Sequence, residues 1–401
     1  MLYHRDAYRR RFQSQVGGLR TWQGSLWVWL LDTAFYPTGG GQPCDLGTLE
    51  IAGRAFSVTE VTKDGQVWHR LEGPAAGEVA VGDPAVGELD WPRRLRHMQR
   101  HSAQHLLAQA FSRVDRAFSV LAINLSQPRC TMDLAGHPDP AAIQAASALL
   151  HAQLYRDLPI TSFEVEESEL DRFPLRRPPQ VQGRVRLVAV ADPEDPSGFW
   201  DVSACGGTHL SSAAQAIPVT VLRGEAVRKG GTRVYFLAGE EARCYLEEGR
   251  VRLQALAARF SCRDEEVPER VLGLAEQLAD QQAELRRLRL REAGLRLASV
   301  QSHPLPGAAL RYLSLRPEEE DLLDALATLA ADLPPALTVV SAGSQLLVAS
   351  SCAISARALL AALLADLGGK GGGSDRLARG SADLASLRAL SAERLAALAV
   401  P

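Results

Sequence analysis

Two short motifs contain side chains that bind metals. His101 and His105 are four residues apart in a segment with helical periodicity, so both imidazoles lie on one face of the predicted helix. Cys205 and His209 have the same spacing around 206–207, where two glycines favour a turn that passes close to a ligand. Imidazole and thiolate are ligands that zinc prefers. The pattern predicts one zinc ion held by these four side chains.

The two pairs carry this prediction together, because either pair alone is a frequent accident of spacing. The chain has 9 histidines in all, which makes two such pairs informative. His97 lies four residues before His101 on the same predicted face and is the rival ligand. The other histidines have no partners at metal-binding spacing, and we expect them to be ordinary surface or core residues.

Two glycine-rich segments each allow two interpretations. Gly39, Gly40 and Gly41 follow Thr38 and form either a hairpin loop or a place where backbone amides approach a carboxyl ester or a ribose. The second segment, 368–373, does not have the P-loop pattern. It is either a flexible linker or a phosphate or RNA contact, and the latter would involve three nearby basic residues, Lys370, Arg376 and Arg379.

The elements that position these motifs change in character along the chain. Short alternating runs predict a small β-barrel in residues 1–95. Helices at 96–111 and 140–154, with strands near 118–133, 160–166, 184–190 and 217–223, predict an α+β domain over 96–240. Residues 241–304 form a predicted helical arm whose heptad-like seam favours a hairpin over a long coiled coil, and residues 305–401 form a small α/β domain. The predicted class is α+β and multidomain.

The composition limits the function classes. The chain has 401 residues and a net charge of −3, so any RNA must be held by local basic clusters. No apolar run reaches membrane-spanning length, and the start does not resemble a secretory signal, so we expect a cytoplasmic enzyme. The cysteines are scattered and predict no disulfide framework. The basic clusters are Arg93, Arg94, Arg96 and Arg100; Arg172, Arg176, Arg177, Arg184 and Arg186; and Arg223, Arg228, Lys229 and Arg233.

The motifs and their order resemble a known family. The chain contains, in sequence, FYPTGGGQPCDLG (35–47), HSAQHLL (101–107), CTMDL (130–134), DVSACGGTHL (201–210) and VRKGGTRVYFLAG (227–239). These segments are similar to the editing domain of alanyl-tRNA synthetase and closer still to the free-standing alanyl-tRNA editing (AlaX) proteins. GGKGGG resembles the glycine-rich element of the C-terminal domain that the synthetase shares with DHH phosphoesterases. Together the resemblance covers essentially the whole chain and corresponds to the long form of the editing protein.

The resemblance implies specific roles. His101, His105, Cys205 and His209 would be the zinc ligands, and the 38–42 loop would border the substrate amino acid. Gln104 stands where the family often has threonine, and residues 122–125 lack the His or Gln expected near Asn124. Beyond these roles, we expect Thr38, Gln42 and Gln104 to be the reacting residues. The predicted substrate contacts are Gly39, Gly40, Gly41, Gly206, Gly207, Thr208 and Asn124. The predicted tRNA contacts are Lys370, Arg376, Arg379, Arg228 and Lys229.

The implied activity is hydrolysis of the aminoacyl ester on tRNA(Ala) mischarged with serine or glycine. Zinc would activate the attacking water or anchor the substrate, and four protein ligands leave both roles open. A full synthetase would need a class II catalytic domain ahead of the barrel, and a DHH phosphoesterase would need an Asp-His-His triplet, which the sequence lacks. The remaining alternative is a non-catalytic zinc-containing tRNA-binding module. A homodimer would form through the helical arm or the C-terminal domain.

Overall fold

The computed structural model describes residues 1–73, 79–179, 183–227, 230–330 and 334–399. Within these residues the chain forms two compact units, Met1–Leu253 and Gln254–Pro401, each with its own buried core. Both units mix helices with sheets, so the predicted α+β, multidomain class is confirmed. None of the described helices is long and apolar enough to span a membrane.

The first unit begins with a closed barrel, as the alternating runs of the sequence predict. After the short helix α1 (Leu2–Arg5), the barrel strands are β1 (Arg11–Trp22), β2 (Ser25–Leu30), β3 (Gly47–Ile51), β4 (Arg54–Asp64), β5 (Gln66–Glu72) and β6 (Pro84–Leu89). They pair in the order β1-β2-β5-β4-β3-β6, and β6 closes the barrel against β1. Alternation decides which side chains point inward: in β3, Leu49 and Ile51 are fully buried while Thr48 and Glu50 are exposed.

A second α+β region completes this unit. Its elements are α2 (Trp91–Val114), β7 (Val120–Asn124), β8 (Cys130–Leu134), α3 (Pro140–Tyr155), β9 (Ile160–Glu166), β10 (Arg184–Ala191), β11 (Phe199–Ala204), β12 (Val219–Ala226) and β13 (Thr232–Ala238). They form two antiparallel sheets, β11-β10-β9 and β12-β13-β8-β7. The predicted strands omit β11 and β13. β11 contains the buried Asp201, and the end of β13 is buried on both faces, so neither shows a clear apolar alternation.

Helix α2 is the central element of the first unit. It starts earlier than predicted because Asp90 caps it, accepting a hydrogen bond from the backbone N–H of Arg93. Arg94 is fully buried and forms an ion pair with Asp45, which lies between β2 and β3 and is also fully buried. Arg94 Nη1 also donates to the carbonyl of Ala7 at 2.8 Å. These contacts fix the start of α2 against the barrel.

The second unit is built on one six-stranded sheet. Helix α4 (Glu240–Phe260) leads into it and is followed by α5 (Val267–Ser299), β14 (Ser302–Leu305), β15 (Ala308–Leu315), α6 (Leu323–Ala330), β16 (Ala336–Ala342), β17 (Gln345–Ser350), α7 (Ala356–Leu367), β18 (Gly369–Gly373), β19 (Leu377–Ala382), α8 (Leu384–Arg388) and α9 (Ala392–Ala399). The strand order is β14-β15-β16-β17-β19-β18, and β15 pairs with β16 in parallel. Helix α7 buries its leucines against the sheet.

The glycine-rich segment 368–373 is part of this sheet, so its interpretation as a flexible linker is wrong. Gly368 ends α7 in a left-handed conformation, with φ of 67°. The next five residues form the edge strand β18, which pairs with β19. Lys370 and Arg376 are exposed, whereas Arg379 forms an ion pair with Asp324 at 2.7 Å.

Helix α5 carries the heptad-like seam of the predicted arm. The helix begins at Val267, after the break near Ser261 that the sequence indicates. Its last turns pack against α6, where Ala293 and Leu297 are buried. The earlier seam residues are exposed in the described chain: Val271, Leu274, Leu278, Leu285 and Leu288.

Candidate metal centre

The four predicted ligands lie together in the first unit. The ligand atoms of His101, His105, Cys205 and His209 are all within 4.8 Å of one another. Cys205 Sγ lies 3.5 Å from Nε2 of His101 and 3.3 Å from Nε2 of His209. The three histidines are buried, and Cys205 is partly exposed. The candidate metal centre therefore opens towards the side of Cys205.

The local backbone explains this convergence. His101 and His105 project from one face of α2, one turn apart. Cys205 follows β11 directly and enters a turn through Gly206 and Gly207. A Cβ at Gly207 would lie 2.2 Å from Cε1 of His101, so only glycine lets the turn approach the ring this closely. The Gly207 N–H also donates to Cys205 Sγ at 3.3 Å.

Gln42, from the glycine-rich barrel loop, contacts both motifs. Its Oε1 is 2.8 Å from Nδ1 of His101 and also accepts from the backbone N–H of Thr208 at 3.2 Å. Its Nε2 donates to Thr208 Oγ1 at 2.9 Å. Because Oε1 can only accept, the proton of His101 is on Nδ1, and Nε2 presents a lone pair to the shared centre. His209 has the equivalent partner in Ser102, whose Oγ lies 3.2 Å from Nδ1.

Asp201 lies next to His105, on the Nδ1 side of the ring. Sequence reasoning did not identify it. Its buried carboxylate lies 3.5 Å from Nδ1 of His105, a distance that makes the contact electrostatic rather than a hydrogen bond. Arg176 pairs with the same carboxylate at 2.6 Å. Burial raises the pKa of Asp201, but Arg176 and His105 outweigh it and the net pKa is lowered. The pKa of His105 is raised because Asp201 and Cys205 outweigh the effect of its burial.

The charge and chemistry of the cluster suit a cation. Burial raises the pKa of the Cys205 thiol, but His101 and His209 lower it by a larger amount. The net pKa is therefore well below 9.0. Burial, followed by His101, lowers the pKa of His209 to about 3, so this ring is neutral. A thiolate and three imidazole nitrogens form a donor set that zinc prefers. The four residues present therefore fit one zinc ion.

The carbonyls of the turn after Cys205 are held by two further side chains. Arg186, on β10, donates from Nη1 to the carbonyls of Cys205 at 2.7 Å and Gly207 at 3.0 Å. His4, in α1, lies with Nε2 3.0 Å from the carbonyl of Gly206. Burial, followed by the charge of Arg186, lowers the pKa of His4 to about 4, so a neutral ring donates from Nε2. The sequence indicates Arg186 only as a member of a basic cluster and does not indicate His4, because each acts on the ligand loop from a distant segment.

The other predicted site residues occupy varied positions. Gly39 and Gln42 exchange backbone hydrogen bonds of 3.1 and 2.9 Å, so the triple glycine forms a tight turn. Thr38 is exposed, and its Oγ1 accepts from the backbone N–H of Cys44 at 3.2 Å. Gln104 is buried, and its Nε2 lies 3.7 Å from the sulfur of Met132. Asn124 is exposed at the end of β7, where its side chain bonds locally to Ser126.

His97 does not join the metal cluster. It is buried on α2, and neither ring nitrogen has a hydrogen-bond partner among the described residues. Burial, followed by the neighbouring arginines of the helix, lowers the pKa of His97 to about 3, so the ring is neutral. The structure therefore favours the four-residue ligand set over this rival.

The basic clusters of the sequence are largely engaged in internal contacts. Arg228 and Lys229 lie outside the described residues. Most of the remaining members pair with acidic side chains, so their positive charge does not form a free RNA-binding surface. These ion pairs are Arg94–Asp45, Arg100–Glu241, Arg172–Glu169, Arg176–Asp201, Arg184–Glu164, Arg223–Glu225 and Arg233–Asp133.

Two family models match parts of the first unit. Residues 185–235 match the second additional domain of threonyl and alanyl tRNA synthetases. Residues 12–93 match the class II (A) tRNA synthetase model. The first match contains Cys205 and His209, and the second covers the barrel.

Curated relatives with the name alanine–tRNA ligase match most of the chain. The enzyme of Pyrobaculum neutrophilum is 30% identical over 387 residues, which cover 94% of this chain and 42% of that protein. The enzyme of Thermococcus kodakarensis is 31% identical over 308 residues, covering 75% and 32%. The chain thus spans less than half the length of these relatives. Over most of its length, the chain is therefore related in sequence to alanyl-tRNA synthetase, including the additional domain that contains Cys205 and His209.

Proposed function

We propose that the protein is an aminoacyl-tRNA deacylase that removes serine, and also glycine, from mischarged tRNA(Ala). The observation that carries this proposal is the metal centre itself: four convergent ligands, tied by Gln42 to a glycine-rich loop, in a relative of alanyl-tRNA synthetase. The reaction is hydrolysis of the ester at the tRNA 3′ end. Water adds to the carbonyl, the ester C–O bond breaks, and the ribose hydroxyl leaves with a proton.

The resident ion in this proposal is zinc, which when bound would polarise the ester carbonyl or acidify a water molecule. The chain's own residues hold the site in shape. Gln42 and Ser102 fix the rings of His101 and His209, and Asp201 supplies negative charge behind His105. Substrate would enter past Cys205, which is the partly exposed ligand.

Selection of serine is proposed to involve Thr38. A small apolar pocket in a synthetase discriminates weakly against an added hydroxyl, by ~1–3 kcal/mol, so a second site that recognises the hydroxyl is useful. Thr38 Oγ1 accepts from Cys44, and its own proton remains available to a substrate hydroxyl. We expect Thr38→Val to reduce kcat/KM for seryl-tRNA(Ala) about tenfold, relative to alanyl-tRNA(Ala). An unchanged ratio would assign Thr38 to the turn alone.

One observation favours a second function, a zinc-stabilised tRNA-binding module without catalysis. Four protein ligands would complete the shell of a bound zinc ion, as in structural zinc sites. Both functions predict zinc and tRNA binding, and only the first predicts turnover.

A deacylation assay with seryl-tRNA(Ala) separates the two. The deacylase should release serine catalytically and contain one zinc ion per chain by elemental analysis. Cys205→Ala should lose metal and activity together, whereas Cys262→Ala, on a cysteine of the second unit, should lose neither. An active preparation without metal would refute the zinc proposal, and a metal-loaded, tRNA-binding but inactive one would favour the binding module.

A further inference from the structure

Arg186 has hydrogen-bonding capacity beyond its contacts with the ligand loop. Only Nη1 is used, on the carbonyls of Cys205 and Gly207. In the part of the chain that the structure describes, its Nε and Nη2 groups donate to no other residue. A guanidinium presents five N–H donors in a planar fork, so most of this fork is left for a ligand.

Arg186 is not paired with a carboxylate in the described part of the chain; the neighbour that most raises its pKa is Cys205, a candidate metal ligand. No carboxylate lies within ion-pair distance of it among the described residues, and Glu164, which faces it across β9 and β10, is engaged by Arg184 at 3.1 Å. The side chain is half-buried, and burial is the main cause that lowers its pKa, although an arginine remains charged. A partly desolvated, unpaired cation beside the open side of the metal centre favours an anion there.

Other arginines near the metal centre are already paired with carboxylates. Arg176 is bound to Asp201, and Arg94 to Asp45, both inside the protein. Arg186 also holds the turn that follows Cys205 and leads to His209, so it contacts the segment that carries two of the four ligands.

We propose that Arg186 binds the phosphodiester group of the terminal nucleotide of the aminoacyl-tRNA. This inference rests on the proposed function. The 3′ end of such a substrate carries an α-ammonium group, which a guanidinium repels, a neutral ester and a phosphodiester. The phosphodiester is the group with full negative charge and matches the planar fork in a bidentate manner. Arg186 thereby links two tasks, since the same side chain holds the ligand turn and anchors the nucleotide.

A pair of non-hydrolysable analogues tests this assignment. The probes are adenosine with a seryl group joined to the 3′ position by an amide, with and without a 5′-phosphate. For the zinc-loaded protein, the phosphorylated analogue should bind more tightly. In Arg186→Gln its Kd should rise about tenfold to a hundredfold, while the Kd of the unphosphorylated analogue, which is affected only through the ligand turn, should rise much less. Arg186→Lys should retain part of the phosphate-dependent difference, because it keeps the charge but not the fork.

Matched controls keep the outcomes distinct. Arg172→Gln changes an exposed arginine of the same unit, paired with Glu169, and should leave both Kd values unchanged. Zinc content is measured for every variant. If both analogues bind equally more weakly, or if both Arg186 variants lose zinc, Arg186 only holds the ligand turn in place. Either result would overturn the proposal. If the unsubstituted protein deacylates tRNA but does not distinguish the analogues, this inference alone is wrong; if it binds neither and does not deacylate, the proposed function is wrong.

Discussion

Asp201 is the residue whose removal tests the electrostatic support of the metal centre. Its buried carboxylate lies 3.5 Å from Nδ1 of His105. Asp201→Asn keeps the shape and removes the charge, and we expect zinc affinity to fall about tenfold to a hundredfold, as is usual for such partners of metal ligands. Competition with a chelator measures this. Asp171→Asn, on an exposed carboxylate, is the control, and equal affinities in the two variants would exclude a role for Asp201.

The two buried glutamines near the metal centre should behave differently. Gln42 bonds to His101 and Thr208, whereas the described contact of Gln104 is with the sulfur of Met132. Gln42→Leu should weaken zinc binding by roughly tenfold, because the ring of His101 loses its partner. Gln104→Leu should leave zinc binding unchanged. Competition with a chelator measures the zinc affinity of both variants. Equal losses of zinc affinity would show that the effect comes from general packing.

Among single residues, the sequence identifies those whose partners are close along the chain. The ligands are recognisable because each pair repeats a four-residue spacing in the printed sequence. Asp201, Ser102 and Arg186 have no such mark, since their roles depend on strands and loops that meet only in the folded protein. Thr38 shows the converse: its type suggests a pocket, while the structure places it exposed in a turn.

Among the elements, α2 connects the barrel to the metal centre through a buried ion pair. Arg94 and Asp45 are both fully buried, so removing one leaves an uncompensated charge. We expect Arg94→Met to lower the free energy of unfolding of the first unit by about 3–5 kcal/mol. The double change Arg94→Met with Asp45→Leu should recover part of this loss. Urea unfolding provides the measurement.

Arg113 on the same helix is the matched control. Its ion pair with Asp195 is partly exposed, and such pairs contribute at most about 1 kcal/mol. A similar cost for Arg113→Met and Arg94→Met would contradict the importance of the buried pair.

The elements were predictable where one face is apolar and the other polar. The barrel region and α3 follow such patterns, and both the barrel predicted within residues 1–95 and the helix predicted at 140–154 agree with the structure. The pattern fails for β18, because glycines carry no side chain to alternate, and their pairing with β19 depends on backbone hydrogen bonds alone. It also fails for β11, where the buried Asp201 interrupts the apolar residues.

For the whole molecule, the two units suggest how tRNA affinity and chemistry are divided. The second unit contains Lys370 and Arg376, both exposed, and none of the metal ligands. A truncated chain of residues 1–253 should keep zinc and hydrolysis but bind tRNA more weakly, with a shallower dependence on salt. KM measured over a range of salt concentrations tests this.

The cut after residue 253 follows the division between the two units. A chain ending near 300 would retain α5 without α6, against which Ala293 and Leu297 are buried. In the full chain, Lys370→Ala with Arg376→Ala should reproduce part of the change in salt dependence. If the truncated and full chains have the same KM at every salt concentration, the second unit does not contribute to tRNA affinity.

The distance along the chain between the ligands bears on how the protein is made. His101 and Cys205 are separated by 104 residues, and Gln42 of the barrel loop must also arrive before the ring of His101 is fixed. During synthesis the two histidines of α2 emerge long before the turn that completes the ligand set. A nascent chain therefore offers an ion only two donors, and full affinity appears after the barrel, α2 and the β10–β11 pair have assembled. In the proposed zinc protein, metal loading would be a late event, and the zinc supply of the cell would act on the stability of the folded first unit rather than on its initial collapse.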